Sequence, residues 1–140
     1  MKKFAIAFIL AVVVLAVAAC SSKGPTDTGK VIKSAPVGNN LTATVSNKDG
    51  AFKNGDNDFF VSFKDSSGKA VEVGAVGLTF HMPSMGTMPD MNDAASFTAT
   101  GTPGVHQGKV KLESAVDWQA QISYEGTIGK GKSSFTVTAH

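Results

Sequence analysis

Short segments in which every second residue is apolar constrain this chain more than any other feature of its sequence. The longest extends from Val116 to Tyr124, with tryptophan, alanine and isoleucine at the even positions between them. Strands bury one face and expose the other, so this alternation predicts β-structure rather than helix. Similar segments lie at residues 41–45, 59–63, 71–80, 95–99, 110–112 and 135–139, with turn-forming residues between them.

The spacing of these segments indicates the architecture. About seven short strands, separated by Gly, Asn, Asp and Ser, are typical of an antiparallel β-sandwich. No stretch after the first twenty residues has the periodicity of an amphipathic helix. We therefore predict an all-β fold, an immunoglobulin-like sandwich of about seven strands, formed by residues 41–140 as one domain.

The pattern of the N-terminal residues indicates a targeting segment rather than part of the fold. Lys2 and Lys3 precede an unbroken apolar run at residues 4–19, which ends in small residues. A run of this length is shorter than the roughly 20 residues that a membrane-spanning helix needs. A positive start followed by a short apolar stretch is typical of a signal peptide, which we assign to residues 1–19.

The single cysteine follows this segment directly. Val17, Ala18, Ala19 and Cys20 resemble the lipobox of bacterial lipoproteins, in which the leader is cut before the cysteine and the thiol is acylated, for example with palmitate. The alternative is an ordinary secretory signal with an incidental cysteine. Ser21 in the next position implies, by the same resemblance, delivery to the outer membrane. Residues 20–40 then read as the lipidated cysteine and a flexible tether.

The charge of the mature chain excludes several classes of ligand. All 13 positive residues are lysines, against 11 acidic residues, and two of the lysines lie in the predicted leader. A nearly neutral surface does not suit nucleic acid, which requires a basic stripe to neutralise phosphates. It equally argues against a polybasic attachment to anionic lipid.

The methionines of the mature chain are concentrated in one short segment. Besides Met1, all four lie within ten residues and three positions apart, at Met82, Met85, Met88 and Met91. Prolines and a glycine interrupt the segment, which argues against an α-helix. A polyproline-like turn has three residues per turn, so we expect it to align the sulfurs along one side. Such a turn would bring Met82 together with Met85, and Met88 with Met91.

Thioether sulfur is a neutral, soft donor, so the metal ions that suit this segment are Cu(I) and Ag(I). Binding through thioethers requires no deprotonation of the ligand. His81, directly before Met82, can add an imidazole, although the sequence does not select the ligands. Two other roles stay open: a contact loop for a protein partner, and packing or sacrificial oxidation of the methionines.

Several stretches resemble one family of extracytoplasmic proteins. They are Gly55 to Val61, Asp65 to Gly68, Phe80 to Met88, Gly104 to Val110, and Trp118. Together they are similar to the YtkA-like domain family over about residues 40–138. The resemblance implies a small sandwich domain, often lipid-anchored, that is associated with copper handling, efflux or oxidase assembly. It implies a binding or delivery module rather than a catalyst.

Three further features have ordinary structural interpretations. Trp118 shares its parity with Ala120, which favours a core tryptophan over a lid on bound copper. His106 lies near a predicted turn, so we expect a solvated imidazole. Residues 126–133 match the G-x-x-x-x-G-K-S pattern, but the strand-like segment around Phe135 follows them, so we interpret them as a hairpin turn. No arrangement of serine, histidine and acid suits a hydrolase, and we expect no enzymatic activity.

The sequence thus predicts a lipid-anchored binding module of the bacterial cell envelope, facing the periplasm from the outer membrane. In this hypothesis Cu(I) or Ag(I) is held by Met82, Met85, Met88 and Met91, with His81 as an optional ligand. An efflux or oxidase-assembly protein would be the partner. The alternative is a metal-free adaptor whose methionine loop docks onto such a membrane protein. Neither nucleic acid nor nucleotide is an expected ligand.

Overall fold

The computed structural model describes residues 28–140, and the predicted signal peptide and Cys20 lie outside them. All regular structure in this range is β, and no helix within it could span a membrane. The nine strands are β1 (Lys30–Gly38), β2 (Leu41–Asn47), β3 (Gly55–Lys64), β4 (Ala75–Met82), β5 (Met91–Ala94), β6 (Ser96–Ala99), β7 (Val105–Leu112), β8 (Asp117–Gly126) and β9 (Gly129–Thr138).

The strands form two antiparallel sheets. One has the order β1-β2-β3-β7-β6, and the other has the order β5-β4-β8-β9. If β2 is taken as strand A, the sheets contain A, B, E and D on one side and C′, C, F and G on the other. This is the immunoglobulin arrangement with β1 added at one edge, and it confirms the predicted all-β sandwich.

The alternation seen in the sequence places one face of each sheet in the core. Phe59, Val61 and Phe63 of β3 are fully buried, as are Trp118 and Ile122 of β8. Phe52, in the loop between β2 and β3, joins the two layers through edge-to-face contacts. Its ring centroid lies 5.4 Å from that of Phe59 and 5.3 Å from that of Phe80.

The first strand corrects the predicted domain boundary. Residues 30–38, part of the tether predicted at residues 20–40, form β1 and pair along β2. Ala35 and Val37 are buried, so this segment contributes to the core. Asn39 and Asn40 both have positive φ, which closes a two-residue turn between Gly38 and Leu41. Such a turn matches the twist of an antiparallel pair and fixes the register of β1.

The strand count also differs from the expected seven. The segment predicted at residues 95–99 belongs to β6, while β5, of equal length, precedes it in the other sheet. Ala95 lies between them, so the chain crosses from one sheet to the other there. Val71 and Val73 alternate as a strand does but lie in an irregular connection, where Val71 donates to the Phe63 carbonyl at 3.0 Å.

Candidate metal centre

The methionine-rich segment forms the hairpin between β4 and β5. Met82 is the last residue of β4 and pairs with Met91, the first residue of β5. Nearer the tip, Met85 and Met88 form a bridge with two backbone hydrogen bonds, of 3.1 Å from Met85 N and 2.9 Å from Met88 N. Both pairs share one continuous register. We call residues 82–91 the methionine hairpin.

A tight turn closes this hairpin, so the expected polyproline-like turn is wrong. Gly86 has a φ of +57°, a conformation that favours glycine, and it forms the turn with Thr87. Met85 and Met88 exchange both ladder hydrogen bonds, so the next pair outward, Ser84 and Pro89, is a non-bonded pair. The N–H that proline lacks is not needed at such a position, and Pro89 is therefore compatible with the hairpin.

The hairpin separates the four methionines into two pairs on opposite faces. Met85 lies three positions after Met82, and an odd step along a strand reverses the side-chain direction. Met82 is 0% exposed and Met91 is partly buried against the core, whereas Met85 is 51% exposed and Met88 is 38% exposed. The structure therefore brings Met85 together with Met88, and Met82 together with Met91. It does not place all four on one side.

His81 lies on the outer face of the second sheet, opposite to Met82. Its Nδ1 is 2.8 Å from Oδ1 of Asn92, its partner residue on β5. When Nδ1 carries the proton, it donates to this oxygen and Nε2 keeps the lone pair that binds a ligand. His81 precedes Met85 by four residues, about 13 Å along a strand. The exposed methionine pair is therefore separated from the imidazole.

The tip of the hairpin is nearly uncharged. From Pro83 to Asp90 only the last residue is charged, and these residues are all exposed. Within residues 28–140, no group of three or more His, Cys, Asp or Glu side chains is placed to hold a metal ion. The donors that the tip offers to a soft ion are thus the two exposed thioethers.

Trp118 and His106 are both buried and do not belong to the exposed tip. Trp118 is fully buried and its Nε1 donates to the Ser114 carbonyl at 3.1 Å, which confirms the core interpretation. His106 is also buried, so the expectation of a solvated imidazole is wrong. Its Nε2 is 3.4 Å from Oε1 of Glu72, and its ring meets Phe63 edge-on. His106 shares its parity with the inward residues of β7, a signal that the sequence contained.

Glu72 connects the long loop after β3 to the start of β7. Its Oε2 accepts a hydrogen bond of 3.1 Å from Gly104 N, and its Oε1 accepts one of 3.2 Å from Gly74 N. The bond from the Gly104 backbone is the main cause that lowers the pKa of this carboxyl below its ordinary value. The nearby His106 contributes in the same direction. The hydrogen bond between Glu72 and Gly104 holds this loop against the start of β7, at the end of the sandwich opposite the methionine hairpin.

The glycine-rich segment at residues 126–133 is the turn between β8 and β9, as expected. Gly126 pairs with Gly129 across the turn, and Lys130 to Ser133 continue β9. A Cβ added to Gly131 would lie only 1.9 Å from the carbonyl oxygen of Val37. The glycine therefore allows β9 to approach β1 closely.

Comparison with known proteins supports the assignment of the domain. No curated protein and no solved structure matched the chain. The YtkA-like family matched it over residues 37–123, more than half of the chain, from the end of β1 to within β8. This range includes the whole methionine hairpin. The chain therefore belongs to the YtkA-like family.

Proposed function

We propose that this protein is a lipid-anchored extracytoplasmic module that holds Cu(I) or Ag(I) at the tip of the methionine hairpin and releases it to a partner. The observation that carries the proposal is the exposed pair of Met85 and Met88, fixed opposite each other by two backbone hydrogen bonds. The role is binding and delivery, without catalysis.

The chemistry of the pair suits a soft monovalent ion. Cα atoms in a hydrogen-bonded antiparallel pair are about 5.5 Å apart, and methionine side chains are long and adaptable. Both sulfurs of Met85 and Met88 can therefore reach one ion. Thioethers favour Cu(I) over zinc, calcium or magnesium, and they bind it without losing a proton.

The exposure of the pair supports exchange rather than storage. Two thioethers on a solvent-facing hairpin leave one side of a bound ion open, so a partner can add its own soft ligand before the methionines leave. A buried site would close this route. Met82 and Met91, which point toward the core, would serve to hold the hairpin in place.

The test is a competition titration of residues 23–140 against a coloured Cu(I) chelator without oxygen. We expect the protein to remove about one equivalent of copper from a weak chelator, and the M85L/M88L double variant to lose at least about tenfold in affinity. The matched control is M82L/M91L, which removes the same number of sulfurs while roughly conserving core volume. It should bind copper like the parent protein, and so should H81Q.

The competing interpretation is a metal-free adaptor that docks through the same tip. Exposed methionines form adaptable contact surfaces, and leucine preserves much of their apolar area. If the parent protein leaves all copper on even a weak chelator, the metal hypothesis is rejected and the adaptor is favoured. If M82L/M91L loses copper as severely as M85L/M88L, the assignment of ligands to the exposed pair is wrong.

A further inference from the structure

The chain enters the sandwich at the end from which the methionine hairpin extends. Lys30, the first residue of β1, pairs with Asn47, the last residue of β2. The preceding Gly29 packs closely here, since a Cβ added to it would lie 2.3 Å from the Asn47 carbonyl oxygen. The path toward Cys20 therefore starts at the end of β2.

The last residues of β4, in the other sheet, lie at this same end of the sandwich. Phe52, in the loop after β2, forms a parallel bridge with Ala139 and accepts a hydrogen bond of 3.0 Å from His140 N. Thr138 of β9 pairs with the first residue of β8. Two residues along β8, Gln119 pairs with His81 of β4. The first residue of β1 and the base of the methionine hairpin thus share one end of the molecule, which we call the methionine end.

The opposite end lies about one strand length away. Glu125 near the end of β8 pairs with Ala75 at the start of β4. The loop between β3 and β4, which contains Ser66, leads into Ala75 and lies at this end. A strand of ten residues such as β8 is about 33 Å long. The hairpin extends about 10 Å further from Met82 to Met85 in the other direction. The tip and Ser66 are therefore separated along the long axis of the sandwich.

The connection from Cys20 to the fold is at most about as long as the sandwich itself. Ten residue steps between Cys20 and Lys30 span at most about 36 Å. An acyl anchor on Cys20 would restrain the methionine end directly and the opposite end only through the length of the domain. The tip carries one charge, at Asp90, so it is compatible with a lipid surface of either charge.

We propose that the tip of the methionine hairpin faces the membrane that carries the anchor, and that its exchange partner is a protein embedded in that membrane. The inference rests on the proposed function and on acylation of Cys20. A partner in the same leaflet meets the tip at high effective concentration, because the short connection confines the module near the surface. A freely diffusing protein would gain nothing from this placement.

The orientation is tested with the full acylated chain in phosphatidylcholine vesicles that contain an acceptor dye on a lipid headgroup. A donor dye is attached to T87C at the tip or to S66C at the opposite end, both exposed positions. Acylation blocks Cys20, so the new thiol is the single labelling site. We expect energy transfer to be at least about twofold higher from the tip, given the separation of the two positions. Equal transfer, or stronger transfer from S66C, would overturn the orientation.

The choice of partner is tested by delivery to a Cu(I) chelator attached to a lipid headgroup in the same vesicles. A 30-residue Gly/Ser insertion after Lys23 lengthens the connection from Cys20 to Lys30 fourfold. Because effective concentration falls with about the 3/2 power of length, delivery should slow up to about eightfold. Delivery to the same chelator in solution is the control and should not change. An unchanged rate to the lipid-bound chelator would overturn the inference.

These outcomes are distinct from failure of the proposed function. Copper affinity is measured on the same vesicles, so loss of binding with the tip still facing the lipid rejects the metal role alone. Normal copper binding with the tip facing away rejects the membrane partner alone.

Discussion

The sharpest test of the hairpin geometry is the difference in stability between two methionine-to-alanine substitutions. Met82 is fully buried in the core cluster with Phe80 and Trp118, whereas Met85, three residues later, is about half exposed. Both residues lie in the same hairpin and lose the same atoms on substitution. Any difference in the free energy of unfolding between M82A and M85A therefore reports which face each side chain occupies.

The magnitudes follow from burial. Replacing a buried methionine with alanine removes its transfer free energy and leaves a cavity, so M82A should lose about 2–5 kcal/mol. A substitution at an exposed position such as Met85 usually changes stability by less than about 0.5 kcal/mol. Domains of this size have a free energy of unfolding of about 5–15 kcal/mol, so M82A should be less stable but still folded. M82L roughly conserves volume and should lose under about 1.5 kcal/mol.

Urea unfolding is the assay, and the fluorescence of Trp118 is the signal. Trp118 is the single tryptophan and is fully buried, so its environment changes when the core opens. The urea midpoint should fall markedly for M82A, slightly for M82L and hardly at all for M85A, with similar slopes for all three. If M82A and M85A lost equal stability, the two side chains would not be on opposite faces. The pairing of the methionines derived above would then be wrong.

Two further predictions concern the rest of the sandwich. The G131A variant should lose about 1–3 kcal/mol or more in free energy of unfolding, because its Cβ would lie 1.9 Å from the Val37 carbonyl oxygen. The control G101A has open space around the added Cβ and should be nearly neutral in the same urea titration. The hydrogen bond from the Gly104 N–H is the main cause that lowers the pKa of Glu72 in the folded state. The carboxylate therefore stabilises the fold at a pH above its unfolded pKa, and this contribution is lost as the pH falls through the folded pKa. The E72Q variant should therefore show a flatter decline of stability as the pH falls below about 5, and an unchanged decline would contradict this role.

The fold was largely predictable because its strongest signals are local. The alternation through Trp118 and Ile122 requires one buried face, and two layers of such strands form a sandwich. The first strand was missed because Lys33 and Pro36 interrupt its alternation, and the structure has register irregularities beside both residues. Pairing with a neighbour, which a single segment cannot reveal, is what makes residues 30–38 a strand.

The site was predictable in composition but not in geometry. Four methionines in ten residues identified the segment, yet a spacing of three fits both a polyproline turn and a hairpin. The choice depends on Gly86 and Thr87, where the chain reverses and Met85 comes to face Met88. The burial of His106 could have been predicted from its parity with Val110 on β7. Its contact with Glu72 could not, since that residue is distant in sequence.

The spacing of three acquires a structural meaning once the hairpin is known. The turn lies at the centre of the four methionines, so residues equally distant from it pair across the strands. An odd step along each strand then places the inner pair, Met85 with Met88, and the outer pair on opposite faces. A spacing of two or four would place all four on one face. If that face were exposed, no methionine would anchor the hairpin to the core, and if it were buried, no sulfur would be exposed. With three, one pair packs toward the core and stabilises the strands that display the other.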